Sequence, residues 1–391
     1  MVENHEKFKQ IYISYNKKNV VRGIHISPYG KLLTVLTGSI TDYVVNMETL
    51  TYEKRELNMS NKVYIPPNHG HLFVSLEENT TLLYQFEGFY EKEKEVSVNY
   101  LDPFINLDLL RCNSYIISEK DTHSNFIKQV DYALVGSNGF LGSITMNFLE
   151  QNNKNFVVIN DRLDNYEIIK GKLLLYKPKY VICAAGISGK PTVEWCETNK
   201  YQTYKTNVLD TLNLIEICKD LNIHITVYGS GGIFNGDGLR EYTETDVPNN
   251  FNKIYSRYRI ILEECIANYE NVLYLRIQYP ITGDGHKKCF MTKMLNRKNN
   301  VHDVPVNVTH MPTMLPMMIE MIERCTTGIF NFVNPGHVHL SNLIKMYDNQ
   351  LEIKVVDEQI NYFGLLNTTK LKNITHGLSL IHVSNLFSCI E

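Results

Sequence analysis

The stretch YALVGSNGFLGSITMNFLEQ, residues Tyr132–Gln151, decides the fold of the larger part of this chain. It places Gly136, Gly139 and Gly142 at intervals of three, directly after a short apolar strand and at the start of a helical pattern. In such a turn, the first glycine permits a tight bend, the second lets a pyrophosphate approach the backbone, and the third lets helix and strand pack closely. Because helix N–H groups attract anions, we expect this turn to bind a dinucleotide cofactor.

The sequence after this turn alternates between short apolar strands and amphipathic helices. Strands separated by helices of ten or more residues predict βαβ units, and therefore a doubly wound parallel sheet covered on both faces. The predicted strands are YALVGS, NFVVIND, KYVICAAG, HITVYGS and NVLYLRI, and the predicted helices are FLGSITMNFLEQ, YEIIKGKLLLYK, residues 201–220 and residues 255–269. We predict an α/β Rossmann-type domain over residues 130–391, with a small substrate lobe mainly over residues 279–391.

About a third of the chain precedes the glycine-rich turn, and its pattern is different. Residues 20–110 are rich in β-branched and aromatic residues that alternate in polarity, as in KLLTVLTGSITDYVVNM, and they have no useful helical period. This pattern predicts an all-β barrel or sandwich over residues 1–111. The polar stretch CNSYIISEKDTHSNFIKQ predicts a linker over residues 112–129.

The composition is that of a globular protein of two domains. The 391 residues carry a net charge of -3, which argues against nucleic acid or an anionic membrane as a partner. No apolar run reaches the roughly 18 residues of a membrane span, and the first residues are too polar for a signal peptide. Eight cysteines without a CxxC pair predict reduced thiols and a cytoplasmic location.

Two neighbouring charges follow the second predicted strand, where such folds read the adenosine ribose. Asp161 is suited to the 2′-hydroxyl of NADH, whereas Arg162 is suited to the 2′-phosphate of NADPH. The two signals conflict, because a carboxylate repels the extra phosphate. We favour NADPH and leave NADH open.

A serine, a tyrosine and an arginine point to carbonyl reduction. Tyr255 and Arg259 are four residues apart on one predicted helix face, and Ser230 ends a strand at the edge where ligands bind. A reduced carbonyl oxygen needs a proton, and a phenol can supply it when a nearby cation lowers its pKa from about 10. The other interpretation is an ordinary amphipathic helix with an exposed arginine.

From Val130 to about Leu371 the chain resembles the extended short-chain dehydrogenase/reductases, and within them the 4-reductases of nucleotide-L-rhamnose synthesis, including the plant UDP-rhamnose synthase reductase domain. The stretches that carry this resemblance include VGSNGFLG, CAAGISGKPTVEWCE, TNVLDTLNLIEIC, YGSGGIF, YPIT and TGIFNFVNPG. The resemblance implies that Tyr255 is the catalytic tyrosine, with Ser230 beside it and Arg259 in place of the usual lysine. The cofactor-binding residues it implies are Gly136, Asn138, Gly139, Phe140, Leu141, Gly142, Asp161, Arg162, Ala184, Ala185, Gly186, Asn207, Tyr255 and Arg259.

The predicted barrel concentrates ionisable side chains on its strands. Alternation along the strands would turn several of them inward, namely His25, Lys31, His71, Tyr84, Tyr90 and Asp102. Two histidines and a carboxylate invite a metal site, but no ligand set completes itself nearby, so we predict no metal. A histidine oriented by a carboxylate, opposite a tyrosine, is instead suited to proton transfer on carbon.

From about Lys9 to Leu110 the chain resembles the cupin-type 3,5-epimerases of dTDP-4-keto-6-deoxyglucose. The motifs are VVRGIH, YGK, IPPNHGH, LLYQFEGFY and LDPF. The resemblance implies that His25 is the base, Asp102 its orienting carboxylate and Tyr84 the acid. It also implies substrate contacts from Arg22, Lys31, His71 and Tyr90. In that family, VVRGIH corresponds to a motif that ends in RGLH and is usually preceded by further strands. Here those strands are nearly absent, and the part after Asp102 is short.

A ketone at C4 of a nucleotide-linked 6-deoxyhexose would serve both domains. It acidifies the flanking C3 and C5 protons and then accepts a hydride. We predict a bifunctional epimerase and 4-reductase that makes a UDP-L-rhamnose-type sugar, takes a UDP-sugar (or dTDP-sugar) from an upstream 4,6-dehydratase, and forms a homodimer. The alternatives are a 2-acetamido-4-keto-6-deoxyhexose epimerised at C3 alone, a sugar-nucleotide-binding or assembly module with one inactive domain, and a metal-dependent cupin fused to a dehydrogenase.

Overall fold

The computed structural model describes residues 7–109, 114–190, 192–236, 240–295, 300–347, 354–355, 362–374 and 380–386. The chain divides into two compact units, Met1–Gln129 and Val130–Glu391. Within the described residues, no helix has both the length and the apolar character that crossing a membrane requires.

Two mainly antiparallel sheets form the first unit. Its first eight strands are β1 (Gln10–Asn16), β2 (Val20–Ile26), β3 (Lys31–Thr37), β4 (Ser39–Asn46), β5 (Tyr52–Asn58), β6 (Lys62–Ile65), β7 (His69–Ser75) and β8 (Thr80–Phe86). They are followed by a 3₁₀ turn (Lys92–Lys94), β9 (Val96–Ser97), β10 (Ile116–Ile117) and α1 (Glu119–Thr122). One sheet has the order β1-β8-β3-β6, and the other has the order β10-β2-β7-β4-β5 with β9 also pairing with β2.

The second sheet of this unit is covered on both faces. Between the two sheets lies a core that includes Leu33, Ile65, Phe73 and Leu82. On the outer face, Val21, Tyr43 and Leu72 pack against apolar residues from the chain after β9. This explains why β4 is buried at six consecutive positions rather than alternately.

The structure differs from the predicted linker over residues 112–129. Ile116 and Ile117 pair in parallel with Val20 and Val21 of β2, and α1 follows directly. Two isoleucines in a polar stretch are too short a signal for a strand, and their partner lies almost a hundred residues earlier. The described residues 114–129 therefore belong to the first unit.

A six-stranded parallel sheet organises the second unit. Its strands are β11 (Tyr132–Val135), β12 (Phe156–Ile159), β13 (Tyr180–Cys183), β14 (His224–Ser230), β17 (Val272–Ile277) and β22 (Gly328–Asn331), in the order β12-β11-β13-β14-β17-β22. The helices are α2 (Phe140–Gln151), α3 (Tyr166–Tyr176), α4 (Trp195–Thr198), α5 (Lys200–Tyr204), a π-helical turn (Lys205–Asp210), α6 (Thr211–Asp220), α7 (Ile254–Ile266), α8 (Phe290–Leu295), α9 (Met311–Glu323), α10 (Leu340–Tyr347) and α11 (Thr369–Ile374). The order of strands reverses at β11, so the carboxyl ends of β11 and β13 form the crevice where such sheets bind ligands.

Short strand pairs complete this unit. They are β15 (Asn235–Gly236) with β25 (Tyr362–Phe363), β16 (Glu241–Tyr242) with β26 (Leu365–Leu366), β18 (Pro280–Ile281) with β21 (Thr309–His310), β19 (Asn300–Val301) with β24 (Lys354–Val355), and β20 (Pro305–Val306) with β23 (Val338–His339). The region from residue 279 onward is less uniform than predicted. Helix α9 packs on the parallel sheet and β22 joins it, while Ile281, Met291, Val308 and Leu343 form a separate core.

Candidate active sites

A bulge in β2 places His25. The pairing of β2 with β7 shifts register between Arg22 and His25, and beyond the shift His25 lies opposite His71. Gly23 has a φ of +121°, and a Cβ there would lie 2.2 Å from the carbonyl oxygen of His71. Only glycine fits this backbone, and the bulge turns the histidine out of the plain alternation of the strand.

Asp121 holds this histidine. Its Oδ1 lies 2.7 Å from Nε2 of His25, and its side chain is 2% exposed. Burial would raise the pKa of Asp121, but the hydrogen bond and charge of His25 outweigh it and hold the pKa below its usual value. Because a carboxylate only accepts, Nε2 donates and Nδ1 keeps the lone pair that can take a proton.

Asp102, which the motif match assigned to this orienting role, lies elsewhere. Its Oδ1 accepts the amides of Phe104 and Ile105, at 2.9 and 3.2 Å, and its Oδ2 accepts the amide of Ile127 at 2.7 Å. Both oxygens therefore tie together the backbone that covers the sheet. The carboxylate that contacts His25 comes instead from α1, which the sequence placed in a linker.

A tyrosine occupies the opposite sheet. Tyr84 lies on β8, and its ring centroid is 6.2 Å from that of His71. His71 is itself fixed by a buried hydrogen-bonding contact of 2.7 Å between its Nε2 and Oδ1 of Asp42. Burial, with the charge of Asp42, raises the pKa of Tyr84 far above its ordinary value, and the charge of Arg22 opposes this. The phenol is therefore protonated at neutral pH, and its ring lies near His71.

Glu95 interacts electrostatically with two further predicted site residues, Lys31 and Tyr90. Lys31 is buried, which lowers its pKa, while the charge of Glu95 raises it. The pKa of Tyr90 is raised by burial and by Glu95. Glu95 and Asp42 were not predicted as site residues from the sequence, because neither lies in a motif that we identified there.

The glycine-rich turn has the geometry of a phosphate cradle. Gly136 has a φ of +85°, and a Cβ on Gly142 would lie 2.1 Å from the carbonyl oxygen of Gly136. In contrast, a Cβ on Gly139 would lie 3.4 Å from its nearest neighbour, so the protein alone does not require glycine there. Helix α2 starts at the next residue without a side-chain cap. Its first N–H groups and the bare Gly139 fit a pyrophosphate.

The neighbouring strand brings further predicted cofactor residues to the same edge. A Cβ on Gly186 would lie 3.0 Å from a guanidinium nitrogen of Arg259 and 3.3 Å from Oδ1 of Asn207. Asn207 accepts the amide of Ile187 and donates to its carbonyl oxygen, both at 2.8 Å. It thereby fixes the turn that begins at Ala184 and Ala185. Of the α2 turn, Asn138 is exposed, whereas Phe140 and Leu141 pack towards the lobe core.

The two charges after β12 have separated roles. Asp161 forms an ion pair with Lys172, which offsets its negative charge. The side chain of Arg162 is 83% exposed and lies 3.4 Å from Asp164. Arg162 is therefore accessible to an anion while the repulsion from Asp161 is weakened.

Tyr255 and Arg259 meet on α7 as their spacing predicts. The guanidinium carbon of Arg259 is 5.3 Å from the ring centroid of Tyr255, and its Nη1 donates to the carbonyl oxygen of Tyr228 at 3.3 Å. Burial opposes the charge, but Tyr255 and Tyr274 raise the pKa of Arg259, so the cation is permanent. Its buried Nε has no hydrogen-bond partner among the described residues, which suits a site completed by a ligand. Ser230 ends β14, and its Oγ accepts the amide of Gly232 at 3.1 Å.

Two protein families match this chain. Residues 2–129 match the dTDP-4-dehydrorhamnose 3,5-epimerase family, and residues 132–368, more than half of the chain, match the RmlD substrate binding domain family. The chain belongs to the RmlD family. As an RmlD-family enzyme with an epimerase-type first unit, it has the two-domain organisation and the family resemblance that its sequence predicted.

Relatives of this RmlD-family chain include plant proteins. A bifunctional dTDP-4-dehydrorhamnose 3,5-epimerase/dTDP-4-dehydrorhamnose reductase of Arabidopsis thaliana is 33% identical over 240 residues, which are 59% of this chain and 79% of the relative. A trifunctional UDP-glucose 4,6-dehydratase/UDP-4-keto-6-deoxy-D-glucose 3,5-epimerase/UDP-4-keto-L-rhamnose-reductase of the same plant is 31% identical, and the match covers 68% of this chain but 39% of that protein. The chain thus spans well under half of the trifunctional relative.

Solved structures agree on the fold. The crystal structure of the L780 UDP-rhamnose synthase from Acanthamoeba polyphaga mimivirus is 29% identical with a TM-score of 0.60, covering 65% of this chain and 96% of that one. A dTDP-4-dehydrorhamnose reductase from Clostridium acetobutylicum, 19% identical with a TM-score of 0.57, supports the fold alone.

Proposed function

We propose that this enzyme epimerises a UDP-linked 4-keto-6-deoxyhexose at C3 and C5 in its first unit and reduces the C4 ketone with NADPH in its second. The product is a UDP-L-rhamnose-type sugar. The observation that carries this proposal is the presence of two sites in one chain. The first unit holds a His25–Asp121 dyad and the second pairs Tyr255 with Arg259, and both sites would act on the same ketone.

In the first unit, proton transfer occurs across the space between two sheets. Nδ1 of His25 removes a proton from the carbon beside the ketone, while Asp121 stabilises the imidazolium that forms. Lys31 donates to the enolate oxygen, and Tyr84 returns a proton from the other face. Arg22, on the exposed side of β2, is available for the diphosphate.

In the second unit, Tyr255 protonates the oxygen that the reduction leaves. When bound, the nicotinamide cofactor supplies the hydride to C4. Arg259 keeps a fixed positive charge beside the phenol, and Ser230 offers a hydroxyl at the end of β14. Arginine cannot itself pass on a proton, so Tyr255 must be reprotonated by another route.

Several relatives bear on the substrate and its source. The trifunctional plant protein and the viral enzyme are named for UDP-sugars, whereas the bifunctional plant protein is named for dTDP-sugars. We propose UDP from the first two names. All three names support a rhamnose-type sugar over the 2-acetamido alternative. A 4,6-dehydratase is fused to the trifunctional relative, and we propose that an equivalent dehydratase supplies this enzyme with its substrate in the cytoplasm.

The preference for NADPH is proposed from Arg162. Replacing it with alanine should raise the KM for NADPH by roughly 10- to 100-fold, the value of a charge-assisted hydrogen bond, and should leave the KM for NADH nearly unchanged. Arg324, a half-exposed arginine paired with Glu320, provides the control variant Arg324→Ala. If Arg162→Ala raised the KM for NADPH and the KM for NADH equally, Arg162 would not be the residue that selects NADPH.

The whole proposal is tested by incubating the enzyme with UDP-4-keto-6-deoxyglucose, or its 2-acetamido analogue, and NADPH in heavy water, followed by proton NMR. His25→Ala should abolish deuterium uptake at C3 and C5 while NADPH binding persists. Tyr255→Phe should slow NADPH oxidation by roughly 10²- to 10⁴-fold and leave deuterium uptake intact. Full uptake in His25→Ala would place the base elsewhere, including in the second unit, and no turnover of either sugar by the wild type would refute the function.

A further inference from the structure

A second carboxylate lies beside the base of the first site. Oε1 of Glu95 is 3.9 Å from Nδ1 of His25, and the Glu95 side chain is only 9% exposed. Residue 95 directly precedes β9, and the pairing of Ser97 with His25 brings this segment alongside β2. The histidine thus has Asp121 at Nε2 and Glu95 on the side of Nδ1, which is the atom that takes the proton.

Epimerisation at two carbons requires that the base loses its proton between the two steps, and one base with one acid does not provide for this. Each inversion leaves a proton on His25 and removes one from Tyr84. Before the second carbon can react without release of the sugar, Nδ1 must lose its proton. Asp121 is bonded to the other nitrogen and does not contact Nδ1 in this arrangement.

We propose that Glu95 is the acceptor that resets His25 between the two inversions, an inference that rests on the proposed function. The proton passes from substrate carbon to Nδ1, from Nδ1 to Glu95 and from Glu95 to bulk water, and Tyr84 regains a proton from water. No other atom changes partner, and the electron pair of each broken C–H bond returns to carbon when Tyr84 protonates it. A separation of 3.9 Å is spanned by one bridging water or a small side-chain rotation.

Glu95 also contacts a side chain that reaches solvent. Nζ of Lys120 lies 3.2 Å from Oε1 of Glu95, and the Lys120 side chain is 46% exposed. Glu95 therefore connects His25, whose side chain is 25% exposed, to a lysine in contact with solvent. The other charged or titratable groups that feel its charge are Lys31, Tyr29, Tyr84 and Tyr90.

The test uses the full-length enzyme with Glu95→Gln, Glu95→Ala and the control Glu93→Gln, an exposed glutamate of the same segment. In heavy water, singly and doubly labelled sugars are counted by NMR and mass spectrometry before much substrate is consumed. Glu95→Gln should retain the first inversion and lower the share of doubly labelled product by roughly 10²-fold, the size of a lost proton-transfer partner. Added acetate should restore part of the second inversion in Glu95→Ala, because it supplies the missing carboxylate.

Each outcome decides the inference. An unchanged ratio of doubly to singly labelled product in Glu95→Gln overturns it, as does an equal loss of both inversions without rescue by acetate, which marks a structural role. If the wild type labels neither carbon, it is the proposed function that fails. Glu93→Gln should match the wild type throughout.

Discussion

His25 shows that predicting a functional residue from the sequence differs from predicting which residues it contacts. The RGIH motif predicts the base from sequence, because a histidine in that motif resembles a known one. Its partner cannot be found in this way, since Asp102 and Asp121 both follow the strands and only Asp121 contacts the ring. The choice depends on the parallel pairing of β10 with β2, a long-range contact that leaves no periodic signal in a two-residue strand.

The two aspartates therefore give opposite phenotypes. Asp121→Asn should reduce deuterium uptake at the sugar by roughly 10²- to 10⁴-fold with little loss of stability, because an amide cannot stabilise the imidazolium. Asp102→Asn should instead destabilise the first unit, since one oxygen that accepts backbone amides becomes a donor. Exchange rates and thermal unfolding of the two variants check this, and the reverse pattern would restore Asp102 as the orienting carboxylate.

Lys31 predicts an alkaline limit on epimerisation. Burial lowers the pKa of this lysine below 10.5, and Glu95 offsets the shift only in part. As pH rises through the lowered pKa, Lys31 loses the proton that it offers to the enolate, so exchange should decline before pH 10.5 is reached. In Lys31→Arg the cation persists and the decline should move to higher pH, as kcat/KM profiles would report; identical profiles would exclude Lys31 from this role.

At the scale of elements, prediction succeeded where the signal is local. The boundaries of α2, Phe140–Gln151, coincide with the predicted helix, and β14 coincides with HITVYGS. Helix α2 has a helical hydrophobic period and begins directly after Gly139. Strand β14 is buried at six consecutive positions and is followed by Gly231. The predicted helix over residues 201–220 contains a π-helical turn at Lys205–Asp210, where the extra residue per turn goes with the inward placement of Asn207. No propensity indicates such a turn.

The bulge in β2 and the helix α3 offer a matched pair of glycines. Gly23→Ala should destabilise the first unit by at least about 1–3 kcal/mol, because the new Cβ meets the backbone of His71 at 2.2 Å and the φ is positive. Gly171→Ala, in α3 with nothing within 4 Å of the new Cβ, should stabilise the second unit by about 0.5–1 kcal/mol. Chemical denaturation of both variants measures the difference, and a tolerated Gly23→Ala would contradict the geometry of the bulge.

For the whole molecule, β1 is the surface that suggests an assembly. It ends the order of its sheet, and three apolar residues on one of its faces, Ile11, Ile13 and Tyr15, are 67%, 44% and 74% exposed. A terminal strand with apolar side chains is a template for pairing with a second copy. We propose that the enzyme forms a homodimer through β1.

This homodimer predicts a change in mass on substitution. Ile11→Lys together with Tyr15→Lys should convert the dimer to a monomer in sedimentation velocity, since the new lysines of both protomers would be buried close to one another at the twofold axis. Val247→Lys, at an 82% exposed site of the second unit, serves as the control. A wild type that sediments as a monomer would contradict the proposal.

The position of α1 has a consequence for the junction between the two units. The dyad of the first enzyme is finished by Asp121, only a few codons before the second unit begins at Val130. During synthesis, the first unit lacks the contact between Asp121 and His25 until the ribosome has almost reached the second unit. A deletion at this junction that included Asp121 would remove the carboxylate in contact with His25.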